Sequence, residues 1–166
     1  MQFVEEVLNA HDLRALDRFL TPDHVLYHPA LPANAHGLDA YERSLSPIWL
    51  EWPDHHLDVQ DAIAEGDRVA VRAKVTATNT GPARGAKPTN KAVQSSVIVT
   101  YTVRDGRIAS TRVIEDIMRM LHGADLVPKN LTALYWMNKL GIVRVLQKLG
   151  KIPGGETAED LSARRP

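Results

Sequence analysis

The segment from Arg112 to Asp116 carries side chains that could do acid/base chemistry. If it is a strand, alternation places Arg112, Ile114 and Asp116 on one face. Val113 and Glu115 then lie on the other face. A carboxylate that faces an apolar interior loses hydration, which raises its pKa toward the range useful for proton transfer. Asp116 is therefore our candidate acid/base group, and the alternative is that it only caps the helix that follows.

Arg112 is the second candidate on this strand. It lies four residues before Asp116, about 13 Å away at ~3.3 Å per residue, so direct contact between the two side chains is not expected. We interpret Arg112 as a clamp for a substrate oxygen or an enolate. The alternative is an arginine at the rim that pairs with a surface acid.

Two other segments resemble ligand sites but have the wrong geometry. His55 and His56 are neighbours, which point to opposite faces of a strand, and no third ligand has a diagnostic spacing, so we predict no metal site. The segment 81–88 is rich in glycine and proline, but its glycine spacing is not that of a phosphate loop and no helix pattern follows. We interpret it as a hairpin loop at the rim of the fold.

Hydrophobic periodicity predicts helices first and an antiparallel sheet afterwards. Two short helical segments precede residue 21, with Asp12 as cap of the second, and an extended stretch follows at 25–28. A helix then runs from Leu38 toward Trp49, and Pro47 should kink it or end it early. From His56 the period is two, and Asp105-Gly106 is a hairpin signal. The predicted strands are 56–65, 69–77, 93–103 and 107–116.

Composition limits the class of protein. With 166 residues, 44% of them hydrophobic, the chain can bury one core, with an appendage rather than a second full domain. It has no cysteine, so it offers no disulfide, thiolate metal site or cysteine nucleophile. No secretory signal or membrane-spanning run is present, and we expect a cytoplasmic location.

Charge is unevenly distributed along the chain. Residues 1–125 carry 13 Lys and Arg against 17 Asp and Glu, whereas residues 126–166 carry 7 against 3. The main body therefore lacks the basic surface that nucleic-acid binding requires, and we predict no nucleic-acid partner.

The order of the elements and several motifs resemble the SnoaL-like polyketide cyclases of the nuclear-transport-factor-2-like superfamily. The resemblance spans roughly residues 3–125. The matching motifs are Tyr27-His28-Pro29-Ala30 with Gly37, Trp52-Pro53-Asp54, Glu65-Gly66-Asp67-Arg68-Val69, Thr78-Asn79-Thr80-Gly81, Lys87-Pro88-Thr89, Asp105-Gly106-Arg107-Ile108 and Arg112-Val113-Ile114-Glu115-Asp116. The implied fold is an α+β cone, in which a curved antiparallel sheet wraps around N-terminal helices and encloses an apolar pocket.

The resemblance also implies a site. Asp116 matches the acid/base carboxylate at the end of the last strand, and His28 lies on a strand that lines the pocket in the family. We expect Asp116, His28 and Arg112 to be catalytic. The residues expected to shape the pocket or bind substrate are Tyr27, Trp49, Asn79 and Ile114. The chain departs from the family at Arg112, where tryptophan is usual, at Asn79, where histidine is common, and in 95–102, which contains no histidine.

The implied function is general acid/base catalysis of the cyclase, isomerase or lyase type, without a cofactor, on a bulky apolar ketone or polyketide-like molecule. Two alternatives stay open. The departures favour a non-catalytic ligand-binding or dimerisation module, and an epoxide hydrolase of related fold would need an Asp-Arg-Asp set for which the strand 68–79 offers no second carboxylate. We also expect a homodimer, in which an apolar face of the long strands, especially Val93 to Val103, packs against a second copy.

Beyond the domain at 1–125, residues 126–152 have the pattern of a basic amphipathic helix. We expect it to dock on the domain or on a dimer mate rather than on a membrane, because apolar residues extend beyond one narrow stripe. Gly141 indicates a bend or a close backbone approach in the helix. Residues 153–166 have the composition of a mobile tail.

Overall fold

Short helical turns open the chain and bury its first apolar residues. The computed structural model describes residues 2–82, 87–127, 131–142 and 145, with backbone alone for 131–134. A π-helical turn at Val4–Asn9, a 3₁₀ turn at Leu13–Ala15 and a short helix α1 at Leu16–Phe19 follow one another. Asp12 caps the 3₁₀ turn by accepting a hydrogen bond from the Arg14 backbone N–H at 3.0 Å, as the sequence predicted.

Strand β1 (Leu20–Tyr27), the two-residue strand β2 (Ala35–His36) and helix α2 (Leu38–Glu51) come next. The prediction that Pro47 kinks the helix or ends it early is wrong in its stronger form, since α2 continues to Glu51. Proline removes one backbone donor from the helix, but α2 packs against the rest of the domain through Tyr41, Leu45 and Trp49, and this burial offsets the loss.

Four long strands follow: β3 (His56–Glu65), β4 (Arg68–Thr78), β5 (Ala92–Arg104) and β6 (Arg107–Glu115). They complete a curved, unclosed six-stranded sheet in the order β2-β1-β6-β5-β4-β3, and the α+β prediction is confirmed. Neighbouring strands are antiparallel except β1 and β6, which run parallel with Leu26 opposite Thr111. The sequence did not predict this parallel pair.

The sheet has one buried face and one exposed face. Alternate residues of β4 and β5 point inward, where Val71, Ala73, Val75, Val97, Val99 and Tyr101 join the core. The expectation that the apolar residues from Val93 to Val103 face outward is therefore wrong for the valines at 93, 97 and 99, which are buried. Ile98 of β5 is large and apolar and does point outward, with 45% of its surface exposed.

Helix α3 (Ile117–Gly123) follows β6, and the chain divides into two compact units, residues 1–127 and 128–166. Within the second unit, α4 spans Leu131–Lys139, and Gly141 has a φ of +72°. A left-handed residue interrupts an α-helix, so α4 stops before Gly141, while Ile142 and Val145 are helical again and the Val145 N–H donates to the Gly141 carbonyl at 3.0 Å. The predicted mobile tail at 153–166 lies outside the described residues. Docking of the helix on protein stays a prediction.

Candidate active site

A cavity of about 370 Å³ lies between the inner face of the sheet, α2 and the start of α3. Its volume is in the range of small-molecule sites. The middle of its wall is apolar and includes Leu8, Leu26, Leu57, Val75, Val97 and Val99. Ionisable and hydroxyl groups are gathered at separate places on this wall.

His28 and Glu115 are the first of these groups. His28 follows the end of β1 and Glu115 ends β6, so the parallel pairing of the two strands brings both side chains to the same part of the cavity. Nε2 of His28 lies 3.8 Å from Oε2 of Glu115, and the two side chains are only 13% and 14% exposed. The geometry thus places an imidazole beside a carboxyl group on an apolar wall.

The protonation states follow from hydrogen bonding and burial. The Ala30 backbone N–H donates to Nδ1 of His28 at 3.1 Å, so Nδ1 carries the lone pair and Nε2 carries the hydrogen of the neutral ring. Burial lowers the pKa of His28. Burial, followed by the charge of Asp116, raises the pKa of Glu115. Although 3.8 Å is within ion-pair range, both shifts favour the neutral forms, and we describe the pair as a neutral imidazole beside a proton-exchanging carboxyl group.

Asp116, Arg112 and Ile114 lie on the opposite face, so the prediction that they face the cavity is wrong. The carboxylate of Asp116 accepts a hydrogen bond from the Arg119 backbone N–H at 3.0 Å and caps α3, the alternative that the sequence left open. Arg112 is exposed and lies over the ring of Tyr27, with Cζ 4.2 Å from its centroid. Ile114 is 63% exposed.

An irregularity in β6 explains the reversal. The turn at Asp105-Gly106 sets Arg104 opposite Arg107 and Val103 opposite Ile108, but Thr102 lies opposite Ser110. Ala109 is therefore an extra residue on β6, and a one-residue slip moves every later side chain to the other face. As a result Thr111, Val113 and Glu115 lie opposite the inward-facing Tyr101, Val99 and Val97.

Tyr27 and Asn79 do not line the cavity either. Tyr27 lies outside with Arg112. Asn79 is fully buried and organises a loop, since its side-chain oxygen accepts from the Thr89 backbone N–H at 2.9 Å and its amide donates to the Gly81 carbonyl at 3.3 Å. Within the predicted rim loop, residues 83–86 lie outside the described part of the chain.

Trp49 does line the cavity, as the sequence predicted, together with the neighbouring Trp52. The ring of His11 stacks on Trp49 with a centroid distance of 4.6 Å. His11 Nε2–H donates to the backbone carbonyl of His55 at 3.1 Å. His55 also lines the cavity, and burial, with a contribution from His11, lowers its pKa to about 4.

A cluster of buried hydroxyl groups forms the deep end of the cavity and was missed by the sequence analysis. Tyr41, Tyr101 and Thr111 line the wall and are 3%, 4% and 2% exposed. Behind them, Nε2 of the fully buried His24 lies 2.9 Å from Oγ1 of Thr111, and its ring meets Tyr41 edge-on. Tyr101 lies directly opposite Thr111 in the sheet, and inward alternation from Val97 could have identified it.

Among the residues that the structure describes, no group of three or more His, Asp or Glu side chains could hold a metal ion. In the same part of the chain no helix is long and apolar enough to cross a membrane.

Comparison with known proteins identifies the family. The family model for SnoaL-like polyketide cyclases matches residues 1–123. The chain belongs to this family. Among functionally curated proteins, none matches the chain significantly.

Several solved structures share the fold. A SnoaL-like protein from Jannaschia sp. CCS1 is 20% identical with a TM-score of 0.70, over 76% of this chain and 89% of that one. IdmH from Streptomyces antibioticus, a proposed polyketide cyclase, is 28% identical with a TM-score of 0.63, over 71% and 90%. AclR from Streptomyces galilaeus, a proposed hydroxylase, is 25% identical with a TM-score of 0.64, over 74% and 90%.

Proposed function

We propose that this SnoaL-like protein is an enzyme that uses general acid/base chemistry, without a cofactor, on a bulky apolar ketone or polyketide-like molecule. The observation that carries the proposal is the pairing of Glu115 with His28 on the wall of an apolar cavity, 3.8 Å apart. Perturbed titratable groups in a concave apolar site are the usual mark of acid/base chemistry.

The two side chains have different roles in this reaction. The Glu115 carboxylate removes a proton from a carbon next to the substrate carbonyl, and the electron pair of that C–H bond moves onto the carbonyl oxygen. Nε2–H of neutral His28 donates a hydrogen bond to the enolate oxygen that forms. Glu115 then returns the proton to a different atom, which gives an isomer. Alternatively the enolate carbon attacks a second carbonyl of the same molecule, which closes a ring, and protonated Glu115 gives its proton to the alkoxide oxygen that forms.

Neighbouring apolar groups support this chemistry. Trp49 and Val113 line the same cavity, and the Glu115 side chain is only 14% exposed. A preorganised donor is worth more in such a dry site than in water, because the local dielectric constant is lower. Arg112 lies outside the cavity and stacks on Tyr27, so it cannot serve as the arginine clamp of an epoxide hydrolase, and the arginine on the cavity lining is Arg43 of α2.

Two adjacent carboxylates allow a matched test. Deuterium exchange from D2O into 2-tetralone, an uncharged aromatic ketone, reports proton removal next to a carbonyl. We expect Glu115→Gln to lower the enzyme-catalysed exchange by about 10²- to 10⁴-fold. Asp116→Asn should retain it, because asparagine also caps helices well. Equal exchange by Glu115→Gln and the unmodified protein would instead favour a ligand-binding module.

We also propose that two copies associate through the outer face of the sheet. Ile98 and Ile114 lie directly opposite each other on β5 and β6, and Ile63 lies on the same face of β3. They are 45%, 63% and 71% exposed, and we call them the isoleucine face. Arg72 of β4 lies opposite Ile98 and forms an ion pair with Asp61 of β3. A two-fold related copy would therefore meet both a positive and a negative charge beside the isoleucine face.

A further inference from the structure

The hydroxyl cluster at the deep end of the cavity has no task in the proposed reaction. Tyr41, Tyr101 and Thr111 are all more than nine-tenths buried. Neither tyrosine hydroxyl has a hydrogen-bond partner among the described residues, whereas a buried polar group is normally paired. Neither hydroxyl is among the fully enclosed unpaired polar atoms of the described residues, so both are open to the cavity and available to a ligand.

His24 determines how the Thr111 hydroxyl is oriented. Its Nδ1 is buried without a partner, and its Nε2 lies 2.9 Å from Oγ1 of Thr111. An unpaired buried N–H is rarer than an unpaired acceptor, so the hydrogen belongs on Nε2, which donates to Thr111. Thr111 then has its own hydroxyl hydrogen available to donate into the cavity.

We propose that Tyr41, Tyr101 and Thr111 form a second binding site within the cavity, which holds an uncharged oxygen function at the far end of the substrate. The three hydroxyls can donate and accept, so they suit a ketone or hydroxyl oxygen. This proposal rests on the proposed function in one respect, which is that the reacting carbonyl group of the substrate lies at Glu115. It adds a second requirement, that the substrate has an oxygen at each end.

The charge and length of the ligand follow from the surroundings. Burial raises the pKa of both tyrosines and lowers that of His24 to about 4, so the deep end is uncharged at neutral pH. A carboxylate would lose its hydration among these neutral groups. Thr111 and Glu115 are four residues apart on β6, about 13 Å at ~3.3 Å per residue. The substrate is thus an elongated, uncharged, largely apolar molecule with oxygen at both ends.

Matched probes test the deep site by binding rather than turnover. Anthraquinone and 2-hydroxyanthraquinone differ by one terminal hydroxyl, and quenching of tryptophan fluorescence at pH 6 measures the affinity of each. We expect the hydroxylated probe to bind more tightly by roughly 2- to 12-fold for each hydrogen bond. Tyr41→Phe combined with Tyr101→Phe should remove this preference while leaving the affinity for anthraquinone unchanged, which also reports that the variant is folded.

Two further variants separate the outcomes. Thr111→Val, checked by its melting temperature, should reduce the same preference, whereas Glu115→Gln should retain it. Failure of the proposed function would appear as unchanged 2-tetralone exchange in Glu115→Gln, independent of these affinities. The deep site is overturned if the tyrosine and threonine variants keep the preference, if Glu115→Gln loses it, or if neither probe binds.

Discussion

Glu115 and Asp116 are consecutive carboxylates that leave the chain in opposite directions. Glu115 points into the cavity toward His28, and Asp116 points outward and caps α3. The change from strand to helix occurs between them, so two chemically similar groups have different solvation. This arrangement makes one carboxylate a natural control for the other.

The pH dependence of proton removal should follow the ionisation of the Glu115 carboxyl group. Burial raises its pKa above the ordinary 4.5, so kcat/KM for exchange should rise with pH through that higher value as the carboxylate forms. Asp116→Asn removes a neighbouring negative charge that contributes to the shift. The profile of this variant should move to lower pH with an unchanged plateau, measured by exchange between pH 4 and 8. A profile that does not move would contradict the coupling.

His28 should act mainly in the transition state. His28→Leu removes the Nε2–H donor, and we expect kcat to fall by about 10²- to 10³-fold, as for loss of one oxyanion donor, with little change in KM. His56 is exposed on β3, so His56→Leu is the matched control and should leave both constants unchanged. If His28→Leu raised KM and left kcat unchanged, the result would indicate a binding role instead.

Glu115 should reduce stability where it is ionised. Its folded-state pKa is raised, so the stability present below the ordinary value is lost as pH rises through the raised pKa. Glu115→Gln should therefore melt at a higher temperature than the unmodified protein at pH 8, and the difference should shrink at pH 4. A higher melting temperature that is independent of pH would point to packing instead.

His24 and His55 should make the domain sensitive to acid. Burial lowers the pKa of both from the ordinary 6.5 to about 4, so their contribution to stability is lost as pH falls through that window. His24→Gln, which keeps a donor for Thr111, should flatten the fall in melting temperature between pH 6.5 and 4. Parallel curves for the variant and the unmodified protein would exclude this role.

The isoleucine face should control assembly. Ile98→Lys with Ile114→Lys places two cations on the apolar patch and should convert a dimer to a monomer, measured by light scattering at micromolar concentration. Leu50 is 62% exposed on α2, so Leu50→Lys is the control and should stay dimeric. A monomeric mass for the unmodified protein would contradict the proposal.

Sequence patterns predicted the elements well because period-two alternation and the Asp105-Gly106 turn are local signals. The face of β6 could not be obtained in the same way. One extra residue, Ala109, changes which side chains enter the cavity, and nothing in its neighbourhood identifies it as a bulge. His28 was assigned to the cavity from the resemblance, and Trp49 from its place where the helix meets the first long strand. Glu115 and the deep hydroxyls were missed because their roles depend on pairing between distant strands.

The parallel pair of β1 and β6 also has a consequence for how the domain forms. His24 and Thr111 are 87 residues apart in the chain, and a parallel pair cannot be closed by a tight turn. The chain entropy lost on joining them is therefore compensated only when the intervening strands are already paired. We expect Glu115 to meet His28 in this same late step, so a nascent or partly folded chain would have neither a complete cavity nor an assembled proton-transfer pair.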